Sequence, residues 1–334
     1  MKKEEILEYL KNDKTDSLFK KADKIRKLYC GDKVFIRGII EFSNYCCRSC
    51  LYCGLRQENK KLLRYRMTSG EIIRLARQII EQGVKTIVLQ SGDDFGFSQR
   101  MLSDIILNIK SANPEVAITL SLGERPFDDY RAFRNAGADR YLLKHETANP
   151  RLYERLHPGQ SLKKRIETLE YLKKLGYQVG AGNIVGLAGQ TLEDLAEDIL
   201  FMKELDVDMA GIGPFIPQKD TPLYGQPPGR LDLTLKVLAL TRIITKDTHL
   251  PSTTALATLD PQDGQFLGLK AGCNVLMPDF TPESYRKNYT IYDNKVRVSL
   301  DRARELIFKA GRLISRDRGD SLKCKKRPKD YVCT

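Results

Sequence analysis

The sequence lacks the features of a membrane or secreted protein. It has no apolar run of roughly 18 or more residues, the length that a membrane-spanning helix needs. Its first residues, MKKEEILEYLKND, include no apolar segment and no small-residue cleavage site, so we expect no secretion signal. These absences predict a cytoplasmic protein with no membrane partner.

The chain also lacks a spread of cysteines and any nucleic-acid-binding signature. Four of its eight cysteines fall within one short segment, which indicates a metal site rather than a disulfide framework. The formal charge of +13 comes from 56 basic residues scattered among 43 acidic ones, and the densest basic runs, 60–66 and 323–329, are short. We interpret the charge as a solvated basic surface and expect no nucleic-acid partner; an anionic small substrate or an acidic protein partner is the alternative.

Short apolar runs rich in β-branched residues alternate with amphipathic helical stretches. Two helices are predicted first, at 3–11 and 15–29, and in the segment 69–80 (SGEIIRLARQII) Ser69 fits a helix N-cap. Eight strand-then-helix units in about 250 residues predict a complete (β/α)₈ TIM-type barrel of the α/β class, with a doubly wound open sheet as the alternative. The predicted strands are 34–42, 86–90, 117–122, 140–144, 178–185, 209–215, 252–257 and 274–277.

We predict three segments along the chain: an N-terminal helical segment (1–33), one barrel domain (34–317) and a polar, mobile C-terminal tail (318–334). In a barrel of this type, the chemistry lies at the C-terminal ends of the strands. The unusual polar residues of this sequence fall at those ends, which predicts one composite site. They are Asn44 with the cysteines, Ser91 to Asp93, Glu124, His145 to Thr147, Gly186 and Pro214.

The clustered cysteines include the pattern C-x₃-C-x₂-C at Cys46, Cys50 and Cys53. Three thiolates in one loop can hold three irons of a [4Fe–4S] cubane and leave the fourth iron open to a substrate. The alternative is a structural zinc site with Cys47 or Cys30 as fourth ligand. It lacks the second paired ligand group that such sites carry, and Cys47 is adjacent to Cys46, so we favour the iron–sulfur cluster.

This cysteine motif, with Tyr52 before the last cysteine, resembles the radical S-adenosylmethionine (SAM) signature. The segments EFSNYC, CLYCGLR, RYRMT, TIVLQSG, LSLGE, ADRYLLKHETANP, GAGNIVGLAGQT, MAGIGPFIP and PSTTA resemble the HydE family, the radical SAM maturases for the active-site cluster of [FeFe]-hydrogenase. The resemblance extends from about residue 1 to residue 317. Biotin synthase and methylornithine synthase are relatives within the same superfamily.

The resemblance implies that SAM binds the open iron and that its reductive cleavage yields a 5′-deoxyadenosyl radical. It implies SAM-binding roles for Tyr52, Ser91, Gly92, Asp93, Glu146, Arg165, Ile184, Gly186 and Leu187. It places a substrate cavity inside the barrel, lined by Arg37, Thr119, Ser121, Arg140, Lys144, Thr253, Thr254, Met277, Tyr289 and Tyr292. Buried cations and hydroxyls need partners, so this set favours a small anionic substrate. The resemblance implies that this substrate is derived from cysteine and iron.

The resemblance also implies partners: an electron donor such as ferredoxin or flavodoxin, a GTPase scaffold and a tyrosine-cleaving radical SAM maturase. Two departures from the family pattern stand out. Lys144 stands at a position where the family often has arginine, and lysine keeps the charge but loses bidentate geometry. The stretch 298–312 has no cysteine, so we expect one [4Fe–4S] cluster and no auxiliary cluster. A radical SAM mutase such as methylornithine synthase is the alternative function, and a zinc-stabilised nucleic-acid-binding protein is the alternative from another class.

We do not predict a catalytic role for any of the three histidines. We interpret His145 as a packed residue at a strand end, with a proton shuttle as the alternative. His157 and His249 have no supporting sequence context, and we assign them no role.

Overall fold

Short parallel strands, alternating with helices, organise the chain. The computed structural model describes residues 1–12 and 15–324. The strands in this part are β1 Lys33–Ile36, β2 Gly38–Ser43, β3 Thr86–Ser91, β4 Ala117–Ser121, β5 Arg140–Leu142, β6 Gln178–Ala181, β7 Ile184–Val185, β8 Met209–Ala210, β9 Gly213–Pro214, β10 Val275–Leu276 and β11 Leu313–Ile314.

The helices occupy the segments between and around these strands. They are α1 Lys3–Lys11, α2 Asp16–Cys30, α3 Ser69–Glu81, α4 Gln99–Ala112, α5 Phe127–Asn135, α6 Pro150–Leu156, α7 Leu162–Lys174, α8 Leu192–Glu204, α9 Leu231–Thr245, α10 Thr254–Leu259, α11 Gly264–Lys270, α12 Glu283–Arg286 and α13 Leu300–Lys309. In the described ranges, none of them is long and apolar enough to cross a lipid bilayer.

The strand pairings run round a ring. Six strands lie side by side in the order β2-β3-β4-β5-β6-β8. Met209 of β8 then bridges to His249, Pro251 bridges to Val275 of β10, and β10 pairs with β1, which leads into β2. Each of these pairings is parallel. A parallel ring matches the predicted TIM-type barrel and not the open doubly wound sheet.

One predicted strand is wrong. The sequence predicts a strand at 252–257, whereas the barrel position is supplied by single bridges at His249 and Pro251, and helix α10 begins at Thr254. Thr253 is the N-cap residue of that helix, and the following Ala-Leu-Ala residues favour helix over strand. The β-branched threonines therefore mark a helix start. The predicted strands 34–42, 178–185 and 209–215 are present but interrupted.

The helix beginnings follow capping chemistry. Helix α3 begins one residue earlier than its predicted cap implies, because Thr68 rather than Ser69 is the N-cap. The Thr68 hydroxyl accepts from the backbone N–H of Glu71, and the Glu71 carboxylate accepts from the backbone N–H of Thr68, a capping box. The two predicted N-terminal helices are confirmed as α1 and α2, which pack on α8 and α9 through Ile6 and Leu18.

The C-terminal segment closes the floor of the barrel. Arg140 is fully buried and donates to the Arg318 carbonyl (2.7 Å) and to Asp320 Oδ1 (3.0 Å), and Lys323 Nζ donates to the Val207 carbonyl (2.7 Å). The expected mobile tail is thus corrected for 318–324, because these residues satisfy buried polar groups of the barrel. Cys333 and the rest of 325–334 lie outside the described residues. The three-part division of the chain stays a prediction.

We expect Asp320→Ala to destabilise the fold by about 1–3 kcal/mol, because it removes the carboxylate that pairs with the buried Arg140 guanidinium. Chemical denaturation of the purified protein measures this change in the free energy of unfolding. Asp317→Ala is the matched control. Asp317 lies 3.6 Å from Lys33 in an exposed pair, so its loss should cost less than about 0.5 kcal/mol. Equal effects of the two variants would contradict a structural role for the floor.

Candidate active site

A cavity of about 380 Å³ lies inside the barrel and opens at the C-terminal ends of the strands. A volume of this size suits a small molecule or cofactor. It is lined by all but three of the residues that the sequence predicts for the site. These are Arg37, Cys46, Cys50, Tyr52, Cys53, Ser91, Gly92, Asp93, Thr119, Ser121, Lys144, Glu146, Arg165, Ile184, Thr253, Thr254, Met277, Tyr289 and Tyr292.

Arg140, Gly186 and Leu187 do not line this cavity in the structure. Arg140 is the first residue of β5, and its guanidinium belongs to the floor network with Asp320. This corrects the expected position of Arg140, because an inward-facing residue at the start of a strand lies at the opposite end of the barrel from the site. Leu187 packs in a separate apolar cluster with Leu152 and Phe215.

The three motif cysteines lie in the loop after β2 and line the mouth of the cavity. Burial raises the pKa of Cys46 to about 12 and that of Cys50 to about 11, and it raises the pKa of Cys53 well above its ordinary value. These thiols are therefore neutral near pH 7 until a metal replaces their protons. The backbone N–H of Arg48 donates to Cys46 Sγ (3.4 Å), and the Gln160 amide donates to Cys50 Sγ (3.6 Å).

The contacts of Cys30 speak against its role as a zinc ligand. Within residues 1–12 and 15–324, no group of three or more His, Cys, Asp or Glu side chains converges as a single-ion site. Cys30, a candidate fourth zinc ligand, instead contacts Arg242 (3.2 Å) of α9 and the Lys246 carbonyl. Three thiols of one loop at a cavity mouth suit a [4Fe–4S] cubane with one open iron.

Gly92 allows the end of β3 to approach the cysteine loop closely. A Cβ atom at this position would lie 2.3 Å from the Tyr45 carbonyl oxygen and 2.7 Å from Cys46 Cβ, so no other residue fits without a backbone shift. The neighbouring Ser91 hydroxyl donates to the Gly92 carbonyl (2.7 Å). The turn therefore holds Asp93 at the cavity wall, beside the cysteines.

Four charged side chains form a network that begins in the cysteine loop, at Arg48. Arg48 donates to Asp93 Oδ2 (2.6 Å) and Glu124 Oε2 (3.3 Å), and Arg165 donates to Glu124 Oε1 (2.6 Å) and the Lys144 carbonyl (2.9 Å). Two cations and two carboxylates balance one another. Asp93 and Arg165 belong to the predicted site, whereas no local sequence pattern indicates that Arg48 pairs with Asp93 and Glu124.

Glu146 sits in a strained backbone conformation. Its φ of 63° is in the left-handed region, which costs about 1–3 kcal/mol for a residue other than glycine and is common at functional sites. Its carbonyl accepts from the Ile184 N–H (3.0 Å), and its carboxylate lies 2.8 Å from Lys144 Nζ. The Glu146 side chain lines the same cavity as Lys144 and Ile184.

Gln190 braces the turn that follows Ile184. Its side-chain carbonyl accepts from the backbone N–H groups of Gly186 (2.7 Å) and Leu187 (3.2 Å), and its amide donates to the Ile184 carbonyl (2.9 Å). Gly186 and Leu187 thus lie behind the wall that Ile184 presents. They support that wall from outside the cavity.

His157 has a role that sequence reasoning missed. Its Nδ1 donates to the Tyr153 carbonyl (2.8 Å), which leaves Nε2 to accept the hydroxyl hydrogen of Tyr52 (2.8 Å). The ring therefore fixes the Tyr52 side chain beside Cys53. The two residues lie 105 positions apart, so no local pattern reveals the pair. His145, by contrast, is buried beside Asp198 (3.5 Å) and does not line the cavity, in agreement with a packed residue.

Burial lowers the pKa of His157 to about 4. A neutral native histidine stabilises the fold fully above its unfolded pKa of about 6.5 and loses that contribution as the pH falls towards 4. We expect wild-type stability to fall between pH 7 and pH 5 by about 2 kcal/mol more than that of His157→Gln, which has no titrating ring. Denaturation midpoints of the two proteins across this range test the prediction, and parallel pH profiles would contradict it.

The deeper part of the cavity carries an uncompensated cation. Arg37 is buried, and its Nε and Nη2 have no hydrogen-bond partner in the described structure. Burial lowers the pKa of Arg37 well below its ordinary value, and the nearby Arg140 lowers it further. The hydroxyls of Thr119 and Thr253 also lack partners. Unsatisfied buried donors are costly, so this end of the cavity suits an anionic ligand.

Two further charged residues line the cavity without a signal in the sequence. Glu41 of β2 and Lys295 of the segment between α12 and α13 form a buried ion pair. Lys295 lies 254 positions from Glu41 along the chain, so only the fold brings them together.

Known proteins resemble this chain over most of its length. Residues 40–202 match the Radical SAM superfamily. The [FeFe] hydrogenase maturase subunit HydE of Thermotoga maritima is 53% identical over 283 residues, which is 85% of this chain and 80% of that protein. The 3-methylornithine synthase of Methanosarcina acetivorans is 28% identical over 290 residues, which is 86% of this chain and 81% of that protein. The crystal structure of methylornithine synthase (PylB) superposes with a TM-score of 0.84 at 26% identity and covers 94% of each chain.

These comparisons agree with the site. The superfamily match contains the cysteine loop, the turn at Gly92 and the charged network, and the barrel matches the fold of the structural neighbour. The identity to the Thermotoga protein extends well beyond the cysteine motif. The chain is a radical SAM enzyme and belongs, within that superfamily, to the HydE family of [FeFe]-hydrogenase maturases.

Proposed function

We propose that this protein acts on a small anionic substrate, derived from cysteine and iron, during assembly of the [FeFe]-hydrogenase active-site cluster. One observation carries the proposal. The three cysteines at the cavity mouth and the Arg37 guanidinium, whose Nε and Nη2 have no hydrogen-bond partner in the described residues, line one continuous cavity. A redox centre at one end and an anion-binding group at the other suit radical chemistry on a buried anion.

The chain offers ligands for one [4Fe–4S] cluster and SAM. Cys46, Cys50 and Cys53 would hold three irons, and Asp93 and the Ser91–Gly92 backbone would accept hydrogen bonds from the SAM ammonium group. Arg165 would bind its carboxylate, Glu146 its ribose, and Tyr52 and Ile184 its adenine, with Gly186 and Leu187 supporting Ile184. When bound together, cluster and SAM supply the adenosyl radical, and the protein orients and shields it.

The remaining cavity residues would hold the substrate. Arg37, Thr119 and Thr253 present donors without partners, which would bind its anionic part. Lys144, Ser121 and Thr254 would add hydrogen bonds along the wall, and Met277, Tyr289 and Tyr292 would close the cavity against water. Since Lys144 is a point charge without a planar fork, it fixes the substrate less rigidly than an arginine would.

The proposal includes partners and a location. We infer an electron donor such as ferredoxin or flavodoxin, and joint action with a GTPase scaffold and a tyrosine-cleaving radical SAM maturase in the cytoplasm. We also propose that the protein carries no auxiliary cluster, since the stretch 298–312 contains no cysteine.

Anaerobic reconstitution with iron and sulfide tests the cofactors. We expect about four irons per chain and an electron paramagnetic resonance spectrum that changes when SAM is added. The function itself is tested by adding the reconstituted protein to a maturation mixture that lacks HydE and measuring [FeFe]-hydrogenase activity. Activation supports the proposal. Conversion of lysine to methylornithine without activation would establish the mutase function that the likeness to methylornithine synthase favours.

A further inference from the structure

Glu41 is held rigidly in the cavity wall. Its backbone N–H donates to the Thr281 hydroxyl (2.9 Å), and its carbonyl accepts from the Tyr65 hydroxyl (2.7 Å). The residue is 2% exposed and lines the cavity. Its side chain is therefore aimed by contacts on both sides of the strand and has little freedom to move away.

The Glu41 carboxylate is only half satisfied. Oε1 accepts from Lys295 Nζ, whereas Oε2 is buried and has no hydrogen-bond partner in the described part of the chain. A buried carboxylate oxygen without a donor costs free energy unless a ligand supplies one. The arrangement within the protein leaves room for one more donor on Glu41.

The negative charge around Glu41 is also not fully balanced by neighbouring cations. Lys295 is shared with Asp279 (3.8 Å), so one cation faces two carboxylates. Arg286, the next cation that influences Glu41, is paired with Glu283 on the exposed side of α12. The group around Glu41 therefore suits a ligand that brings one positive charge.

A positive charge, that of Arg37, lies four residues before Glu41 on the same side of the chain. Arg37 and Glu41 both line the cavity, with Ile39 between them. The four residue steps from Arg37 to Glu41 separate their Cα atoms by about 13 Å at roughly 3.3 Å per residue. Arg37 presents unpaired donors and Glu41 an unpaired acceptor. The cavity is thus bipolar, with its negative end near the cysteine loop and its positive end deep in the barrel.

We propose that Glu41 is a specificity-determining residue that binds the cationic amino group of an amino-acid-derived substrate. Its Oε2 accepts a hydrogen bond from an N–H of that group, while the anionic part of the substrate extends towards Arg37. Lys295 positions the carboxylate by holding its other oxygen. This inference rests on the proposed function and deepens it, because it requires the cysteine-derived substrate to keep its free amine.

The test compares two probes that differ only in that amine. L-Cysteine and 3-mercaptopropionate share a thiol and a carboxylate, and their binding to the reconstituted, SAM-loaded protein is measured by calorimetry. We expect wild type to bind L-cysteine at least about tenfold more tightly, since a charge-assisted hydrogen bond is at stake. Glu41→Gln should reduce this preference to less than about threefold while leaving 3-mercaptopropionate binding unchanged. Glu197→Gln, which removes an exposed carboxylate paired with Lys3, should keep the wild-type preference.

The outcomes separate this inference from the proposed function. No preference for the amine in wild type, or an equal loss of both probes in Glu41→Gln, would overturn the role of Glu41 while SAM binding still supported the radical enzyme. If SAM failed to alter the spectrum of the reconstituted wild type, the assigned SAM site would fail first. Far-ultraviolet circular dichroism and SAM affinity of Glu41→Gln show whether the variant is folded.

Discussion

Replacing Cys50 by alanine is expected to abolish cluster assembly. The iron content after reconstitution should fall from about four to below about one per chain, and SAM-dependent formation of 5′-deoxyadenosine should drop at least about 100-fold. The reason is geometric: Cys50 lies at the cavity mouth between Cys46 and Cys53, and no other cysteine in the described residues lines that cavity. Iron analysis and product chromatography under anaerobic conditions provide the measurement.

Cys47→Ala is the matched control. Cys47 is exposed and adjacent to Cys46, yet it does not line the cavity. Its loss should leave the iron content and SAM cleavage within about twofold of wild type. A Cys47 variant that lost its cluster would show that the assigned ligand set is wrong, because the fourth thiol would then be needed for assembly.

Much of the site is predictable because barrel strands end on one side. The sequence places Cys46, Ser91 and Glu146 directly after three different strands, and the structure brings all three to one cavity. Their separation along the chain is irrelevant once the strands are parallel and in order. The motif residues follow from strand order alone, without any knowledge of side-chain contacts.

The layer of the barrel interior in which a side chain lies is harder to predict than whether the side chain points inward. Arg140 and Lys144 are both candidates for the cavity wall, but only Lys144 reaches it. Alternation along a strand shows which side chains point inward, whereas position along the strand decides the layer in which they lie. Arg140 begins β5 and so belongs to the floor, where Asp320 provides the partner that a buried guanidinium needs.

Contacts between distant segments leave no trace in a single sequence. His157 fixes Tyr52, Lys295 pairs with Glu41, and each pair joins segments that are far apart in the chain. The helix at 254–259 shows a second limit, since Thr253 and Thr254 favour a strand by propensity and a helix start by capping. The neighbouring barrel positions decide between these states.

Arg165→Met is expected to destabilise the protein by about 3 kcal/mol, because it breaks one side of the buried network. Removing one partner of a buried ion pair typically costs about 3–5 kcal/mol, since the other charge is left without compensation. Here the loss lies at the lower end of that range. Arg48 still lies 3.3 Å from Glu124, although it also has to neutralise Asp93. Chemical denaturation of the anaerobically purified protein measures the change.

The same substitution separates structural from binding roles for Arg165. Methionine keeps most of the side-chain volume, so the loss of stability reports charge and hydrogen bonding rather than a cavity. Arg165→Lys should recover part of the stability but little SAM affinity, because lysine lacks the planar fork that binds both oxygens of a carboxylate. Lys163→Met, an exposed change on the same helix, should alter stability by less than about 0.5 kcal/mol. If Arg165→Met behaved like this control, the ion pair between Arg165 and Glu124 would not be a source of stability. Arg48 alone would then compensate the charge of Glu124.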